Sequence, residues 1–149
     1  MAISEICNRE VVVMQRQENI LEAARLMRQH HVGDVVVVEE RGGVRIPVGI
    51  VTDRDLVVEV IAPEVDQSAF TVGDIMSPEL ATIREDAGVF ETIEYMRAKA
   101  VRRMPVVSES GALVGILALD DLLELLAEEL LALAKLARHE QKKETINRR

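Results

Sequence analysis

The residues best suited to chemistry lie where an apolar run ends in the first half of the chain. Residues 48–51 have the character of a strand that ends in Thr52, and the carboxylate of Asp55 follows three positions later. Free N–H groups at the start of the following helix would attract an anion, phosphate above all. A nearby carboxylate can accept hydrogen bonds from a ribose diol. Thr-x-x-Asp at this turn is therefore compatible with a nucleotide contact, but one copy alone is a weak signal, and a plain helix cap is the commoner use of these residues.

The same motif occurs a second time. Residues 49–55 read Gly-Ile-Val-Thr-Asp-Arg-Asp and residues 115–121 read Gly-Ile-Leu-Ala-Leu-Asp-Asp. The two copies are in register, but Ala118 stands where Thr52 was, so the second copy has a carboxylate, Asp121, without the hydroxyl. The two motifs are therefore alike in position and unequal in chemistry.

Matches outside the motif extend the repeat to most of the chain. Met27 and Met96 lie 69 positions apart, as do many apolar residues around them, whereas Gly49 and Gly115 are 66 apart. The first copy therefore holds three extra residues, near residues 40–43, where a hairpin turn is expected. One unit duplicated in tandem explains both offsets.

The elements that must position these motifs follow from periodicity. Each copy is predicted as strand, helix, strand, strand, helix. In the second copy the first strand is expected at residues 80–83, and Asp86 is the expected N-cap of the helix that follows. We predict an α+β fold: two tandem β-α-β-β-α repeats packed with pseudo-two-fold symmetry, plus a long C-terminal helix. The predicted divisions are repeat 1 at 1–62, a linker at 63–70, repeat 2 at 71–127 and a helical extension at 128–149.

Composition limits the function classes. Of the 149 residues, 48% are hydrophobic and 2% aromatic, so the core must be aliphatic. The formal net charge of -8 disfavours nucleic acid as a general partner, because phosphate neutralisation needs a basic face. The single cysteine, Cys7, excludes an internal disulfide, and no apolar run is long enough to cross a bilayer. These features indicate a soluble, cytoplasmic protein.

Two other chemistries are disfavoured. His30 and His31 are adjacent at a predicted helix end, where an interaction with the helix dipole explains them better than a metal does. The sequence offers no combination of nucleophile, base and oxyanion donors. We therefore expect neither a metal site nor catalysis.

With the duplication and both motifs, the chain resembles a tandem cystathionine-β-synthase (CBS) domain pair, or Bateman module. The resemblance covers roughly residues 2–127 and includes residues 101–107, Val-Arg-Arg-Met-Pro-Val-Val, before the second motif. It implies a regulatory sensor that binds an adenosyl ligand in the cleft between repeats: AMP, ADP, ATP, NAD or S-adenosylmethionine.

The resemblance also implies residue roles. Thr52 would contact the phosphate and Asp55 the ribose, while Arg102 and Arg103 of the other repeat would supply guanidinium groups to the phosphate. Arg54 is a further phosphate candidate that could equally remain in solvent. The expected adenine pocket is aliphatic and consists of Ile50, Leu80, Ala81 and Val101.

The second site is expected to be weaker. It has Asp121 for the ribose, but Ala118 provides no hydroxyl, and the positions that match the two arginines are Gly33 and Asp34. A carboxylate at residue 34 would repel a phosphate. One nucleotide site per chain is therefore expected.

The C-terminal helix is predicted from about Asp120 to Thr145, with acidic residues early and basic residues late. Leucines at 3-4 spacing could pair helices across a homodimer, or they could pack on this or a partner chain's domains. The leading reading is a homodimeric sensor of an adenine nucleotide, with an unidentified effector. The alternatives are a ligand-free interaction module that docks an enzyme or transporter and, less favoured by charge, a nucleic-acid-binding regulator.

Overall fold

A computed structural model describes residues 1–148, so Arg149 of the predicted extension lies outside the described part. The first repeat contains β1 (Val13–Gln15), α1 (Ile20–His30), β2 (Asp34–Arg41), β3 (Val44–Thr52) and α2 (Asp53–Leu56), which continues as a π-helical turn (Val57–Ile61). The second contains α3 (Val72–Ile75), β4 (Ile83–Arg84), α4 (Val89–Lys99), β5 (Arg103–Val107), β6 (Leu113–Ala118) and α5 (Leu119–Asn147). A 3-10 turn (Ile3–Glu5) precedes β1.

The two repeats have the same topology. Each has a three-stranded sheet, ordered β1-β2-β3 or β4-β5-β6, in which the first pair is parallel and the second antiparallel. Helices α1 and α4 both end in a left-handed residue, His31 at φ 53° and Ala100 at φ 55°, which are equivalent positions. The predicted α+β fold with two repeats and a long C-terminal helix is confirmed.

Each repeat begins with a short turn that packs on the other repeat. Ile3 is buried with Met104 and Leu117 of the second repeat, whereas Val72 is buried with Val35 and other residues of the first. The backbone bonds also match: the Ile3 N–H donates to the Ala87 carbonyl, and the Val72 N–H donates to the Glu18 carbonyl, both at 2.9 Å. Each core is completed by a segment from the opposite half, so neither sheet is covered by its own repeat alone.

The motif glycines allow this close crossing. A Cβ on Gly115 would lie 2.7 Å from the Asn8 carbonyl oxygen, and one on Gly49 would lie 3.0 Å from Cβ of Met76. Cβ atoms do not approach a neighbour so closely without a shift of the structure. The two glycines are therefore required by packing at this point of the motif.

Two local predictions differ from the structure. Asp86 is not the N-cap of α4: that position is Gly88, whose N–H donates to Glu91 at 2.8 Å, while Asp86 pairs with Arg84 at 3.1 Å. The strand expected at residues 80–83 is limited to β4, because only Ile83 and Arg84 pair with β5. Within residues 1–148, no helix is both long and apolar enough to span a membrane.

Candidate functional site

The first motif forms a reciprocal cap at the start of α2. The Asp55 N–H donates to Oγ1 of Thr52 at 3.1 Å, and the Thr52 N–H donates to Oδ2 of Asp55 at 2.8 Å. The hydroxyl of Thr52 acts here as an acceptor, so its own hydrogen is available for a ligand oxygen. Within residues 1–148, Oδ1 of Asp55 accepts no hydrogen bond. The motif can therefore cap the helix and bind a ligand at the same time, since the cap leaves the Thr52 hydroxyl hydrogen and Oδ1 of Asp55 unused.

The second motif retains half of this arrangement. The Ala118 N–H donates to Oδ2 of Asp121 at 2.8 Å, the same length as in the first motif, but Ala118 has no side-chain oxygen. Asp121 is half-buried, as Asp55 is. The two carboxylates are thus in matched positions, and only the first has a hydroxyl beside it.

A row of four residues crosses from one motif to the other. Thr52 lies opposite Asp34 in the first sheet, and Ala118 lies opposite Arg103 in the second. Asp34 and Arg103 then pair with each other across the repeats, with Nε of Arg103 3.0 Å from Oδ2 of Asp34. Because residues 34 and 103 are equivalent in the two repeats, this ion pair lies at the pseudo-two-fold axis. Arg103 therefore binds Asp34, the residue that lies opposite Thr52 in the first sheet.

The surroundings of this ion pair are acidic on one side. A Cβ on Gly33 would lie 3.1 Å from Nη2 of Arg103 and 3.2 Å from Oδ2 of Asp53. Burial of Asp34 raises the pKa of its carboxyl, Arg103 opposes this shift, and the charge of Asp53 adds to it. Burial affects the pKa of Asp34 more than the ion pair does, because the Asp34 side chain is well enclosed while Arg103 remains partly exposed to solvent.

The other predicted site residues are placed by their own elements. Arg102 is exposed, and its carbonyl accepts the N–H of Leu119 at 2.8 Å, which joins it to the start of α5. Arg54 is exposed in the first turn of α2. The four residues proposed for the adenine pocket are all half-buried, and two of them, Ala81 and Val101, pack on the second core; the four are Ile50, Leu80, Ala81 and Val101.

The contact between Asp34 and Arg103 does not follow from the sequence-based site. Asp34 is expected at the second site as a repelling charge, and in the structure it also pairs with Arg103, which is expected at the first site. The repeat offset could have predicted this ion pair. Residues 34 and 103 are equivalent positions of the two repeats, equivalent residues at a pseudo-two-fold axis contact each other, and these two have opposite charge. Asp53, which completes the acidic side, had no role in the sequence-based site.

The raised pKa of Asp34 leads to a prediction for stability. A carboxyl whose pKa is higher in the folded than in the unfolded chain binds more protons when folded, so the free energy of unfolding rises as pH falls through that pKa. Urea unfolding from about pH 7 to about pH 4 should therefore show wild type gaining stability relative to Asp34→Asn. A difference that stays constant, or changes in the opposite direction, would contradict the raised pKa.

Known proteins share the sequence and the fold. The family model for the CBS domain matches residues 3–62 and 72–128. An uncharacterized protein of Methanopyrus kandleri is 36% identical over 123 residues, which are 83% of this chain and 61% of that protein, so this chain spans less than two thirds of its length. The CBS domain-containing protein YhcV of Bacillus subtilis is 33% identical over 121 residues, covering 81% of this chain and 82% of the relative.

The fold of this chain is also similar to that of a solved structure. The CBS domain pair of protein MJ0100, in complex with 5′-methylthioadenosine and S-adenosyl-L-methionine, matches with a TM-score of 0.74 and 25% identity, over 87% of this chain and 98% of that chain. The sequence match, the doubled topology and the paired motifs agree. This chain belongs to the CBS-domain family and carries two tandem CBS domains, the arrangement of a regulatory domain pair.

Proposed function

We propose that this chain is a non-catalytic sensor that binds one phosphate-bearing adenosyl ligand, such as AMP, ADP, ATP or NAD, in the cleft between its repeats. The observation that carries the proposal is the reciprocal cap of Thr52 and Asp55, which leaves a hydroxyl hydrogen and a carboxylate oxygen unused. Thr52 lies opposite Asp34 in the sheet, and Asp34 binds Arg103 of the other repeat. The adenosyl ligands of the similar MJ0100 domain pair support the ligand class.

Each residue has a defined role in this proposal. Asp55 accepts the ribose hydroxyls, Thr52 donates to the phosphate, and Arg102 and Arg103 neutralise it, with Arg54 as an exposed further contact. The two guanidinium groups favour an anionic ligand over S-adenosylmethionine, whose sulfonium they would repel. The half-buried aliphatic residues of the adenine pocket would cover the base.

Ligand binding would act on the contact between repeats. Arg103 is bound to Asp34, so a phosphate would compete with Asp34 for the same guanidinium. Any arrangement of the repeats in which Arg103 turns from Asp34 to the phosphate would then be favoured by ligand. A ligand shifts such an equilibrium by its difference in affinity for the two arrangements.

Calorimetric titration with AMP, ADP, ATP, NAD, S-adenosylmethionine and adenosine tests the proposal. We expect one ligand per chain, with AMP binding more tightly than adenosine. A stoichiometry of two would contradict the single site, because it would require the Asp121 pocket to bind without a hydroxyl or arginines. Absence of binding by every ligand would reject the sensor and favour the ligand-free docking module.

We also propose that the chain acts as a homodimer, as expected from the family resemblance. Its support in this chain is the exposed apolar surface of α5, where large side chains such as Leu130 and Leu133 face solvent. A soluble monomer rarely leaves such an apolar surface uncovered.

A further inference from the structure

Helix α5 projects from the domain pair as an arm. Leu122 is its one buried residue and Leu125 is half-buried, whereas every residue from 126 to 148 is exposed. This exposed part still carries six large apolar side chains: Leu126, Leu130, Leu131, Leu133, Leu136 and Ile146. Helical stability in proteins comes mainly from packing of an apolar face, and this face has no partner within the described chain.

Charge along the arm is divided by sign. Residues 119–133 contain five carboxylates and no basic side chain, whereas residues 134–148 contain five lysines or arginines and two glutamates. A parallel pair of such helices would place the acidic halves side by side. An antiparallel pair would place each acidic half against a basic half, which is the arrangement that electrostatics favours.

A groove at the base of the arm is apolar and acidic, which complements the apolar and basic second half of α5. It has a volume of about 720 Å³ and lies between the start of α4 and α5. Its lining is apolar, with Phe90 77% exposed, and it carries two carboxylates, Glu91 and Glu129. The Glu91 carboxylate also accepts the Gly88 N–H at 2.8 Å. The groove therefore suits a helix that is apolar on one side and basic beside it.

We infer that two copies of this chain pair their α5 helices antiparallel, so that the basic half of each lies along the acidic half and groove of the other. Leu126, Leu130, Leu133 and Ala137 follow one another at intervals of four, three and four residues and so form one stripe along α5. This stripe sets the register, in which Leu126 faces Ala137 of the second copy and Leu130 faces Leu133. This arrangement rests on the homodimer proposed above and is independent of nucleotide binding. Leu131, about 100° around the helix from Leu130, lies outside the contact.

Sedimentation of the full chain tests the contact. We expect a dimer with twice the chain mass of 16.6 kDa. Leu130→Glu should raise the dimer dissociation constant by at least about tenfold, because it buries a charge near the dyad. Leu131→Glu adds the same charge to the neighbouring exposed leucine and should leave the constant within about twofold. A monomeric wild type would reject both the homodimer and this arrangement, and equal effects of the two substitutions would reject the arrangement alone.

A distance measurement tests the orientation. With Cys7→Ser to remove the native thiol, Lys142→Cys carries one spin label on the outer side of the arm in each copy. In the antiparallel pair the labels lie roughly 30 Å apart along the helix axis, since each is about ten residues from the dyad and the rise is about 1.5 Å per residue. Labels at the same height, separated only by the width of the helix pair, would show a parallel pair and overturn the inference. Unchanged thermal unfolding confirms that the labelled chain retains its fold.

Discussion

Replacing Asp55 with alanine is expected to weaken binding of AMP and of adenosine alike by about 100-fold or more. The carboxylate would accept two hydrogen bonds from the ribose, each charge-assisted bond contributes about 1.5–3 kcal/mol, and about 1.4 kcal/mol corresponds to tenfold. The loss should affect both ligands because both contain the ribose. Calorimetry with the two ligands measures it directly.

Asp121→Ala is the matched control for this substitution. Asp55 and Asp121 each accept the N–H of the residue three positions earlier at 2.8 Å, so both substitutions remove the same cap. Loss of such a cap costs about 1 kcal/mol of stability at either site. We expect Asp121→Ala to retain nucleotide affinity within about twofold. Equal losses in the two variants would contradict the one-site proposal, since the effect would then come from the cap or from two equivalent pockets.

Replacing both Arg102 and Arg103 with alanine is expected to lower AMP affinity by about 30-fold or more and adenosine affinity by no more than about threefold. Guanidinium groups bind phosphate through charge-assisted bonds, which adenosine lacks. The 30-fold loss corresponds to about 2 kcal/mol, less than two full charge-assisted bonds would contribute at about 1.5–3 kcal/mol each. The smaller value is expected because Arg102 is exposed and Arg103 already binds Asp34. The measured quantity is the ratio of the two affinities in each variant.

The ion pair between Arg103 and Asp34 affects the result of the arginine substitutions and also provides a control for them. Arg103→Ala alone leaves the enclosed Asp34 carboxylate without its cation, which would destabilise the fold. Adding Asp34→Asn to the arginine variant removes that penalty, and the selective loss of AMP affinity should persist. Asp34→Asn in an otherwise wild-type chain should raise AMP affinity, because it frees Arg103. A uniform loss for AMP and adenosine would mean that the arginines act through folding.

Features that depend on neighbouring residues could be predicted from the sequence. The strand and helix patterns, the duplication and the loss of a hydroxyl at Ala118 depend on residues close together in the chain, where periodicity and turn chemistry decide the structure. Boundaries were less reliable: Asp86 has the right type for an N-cap, but the helix begins two residues later, where Glu91 can reach the Gly88 N–H.

The contacts between the repeats were decided by the tertiary structure. Nothing local shows that Ile3 completes the second core and Val72 the first, since this exchange depends on how two sheets approach. The same approach brings Asp34 to Arg103, which places a competing carboxylate inside the proposed phosphate site. Sequence alone thus determined which groups are available in each motif. Packing about the pseudo-two-fold axis decided which of them meet, because that geometry is set by long-range burial and not by neighbours in the chain.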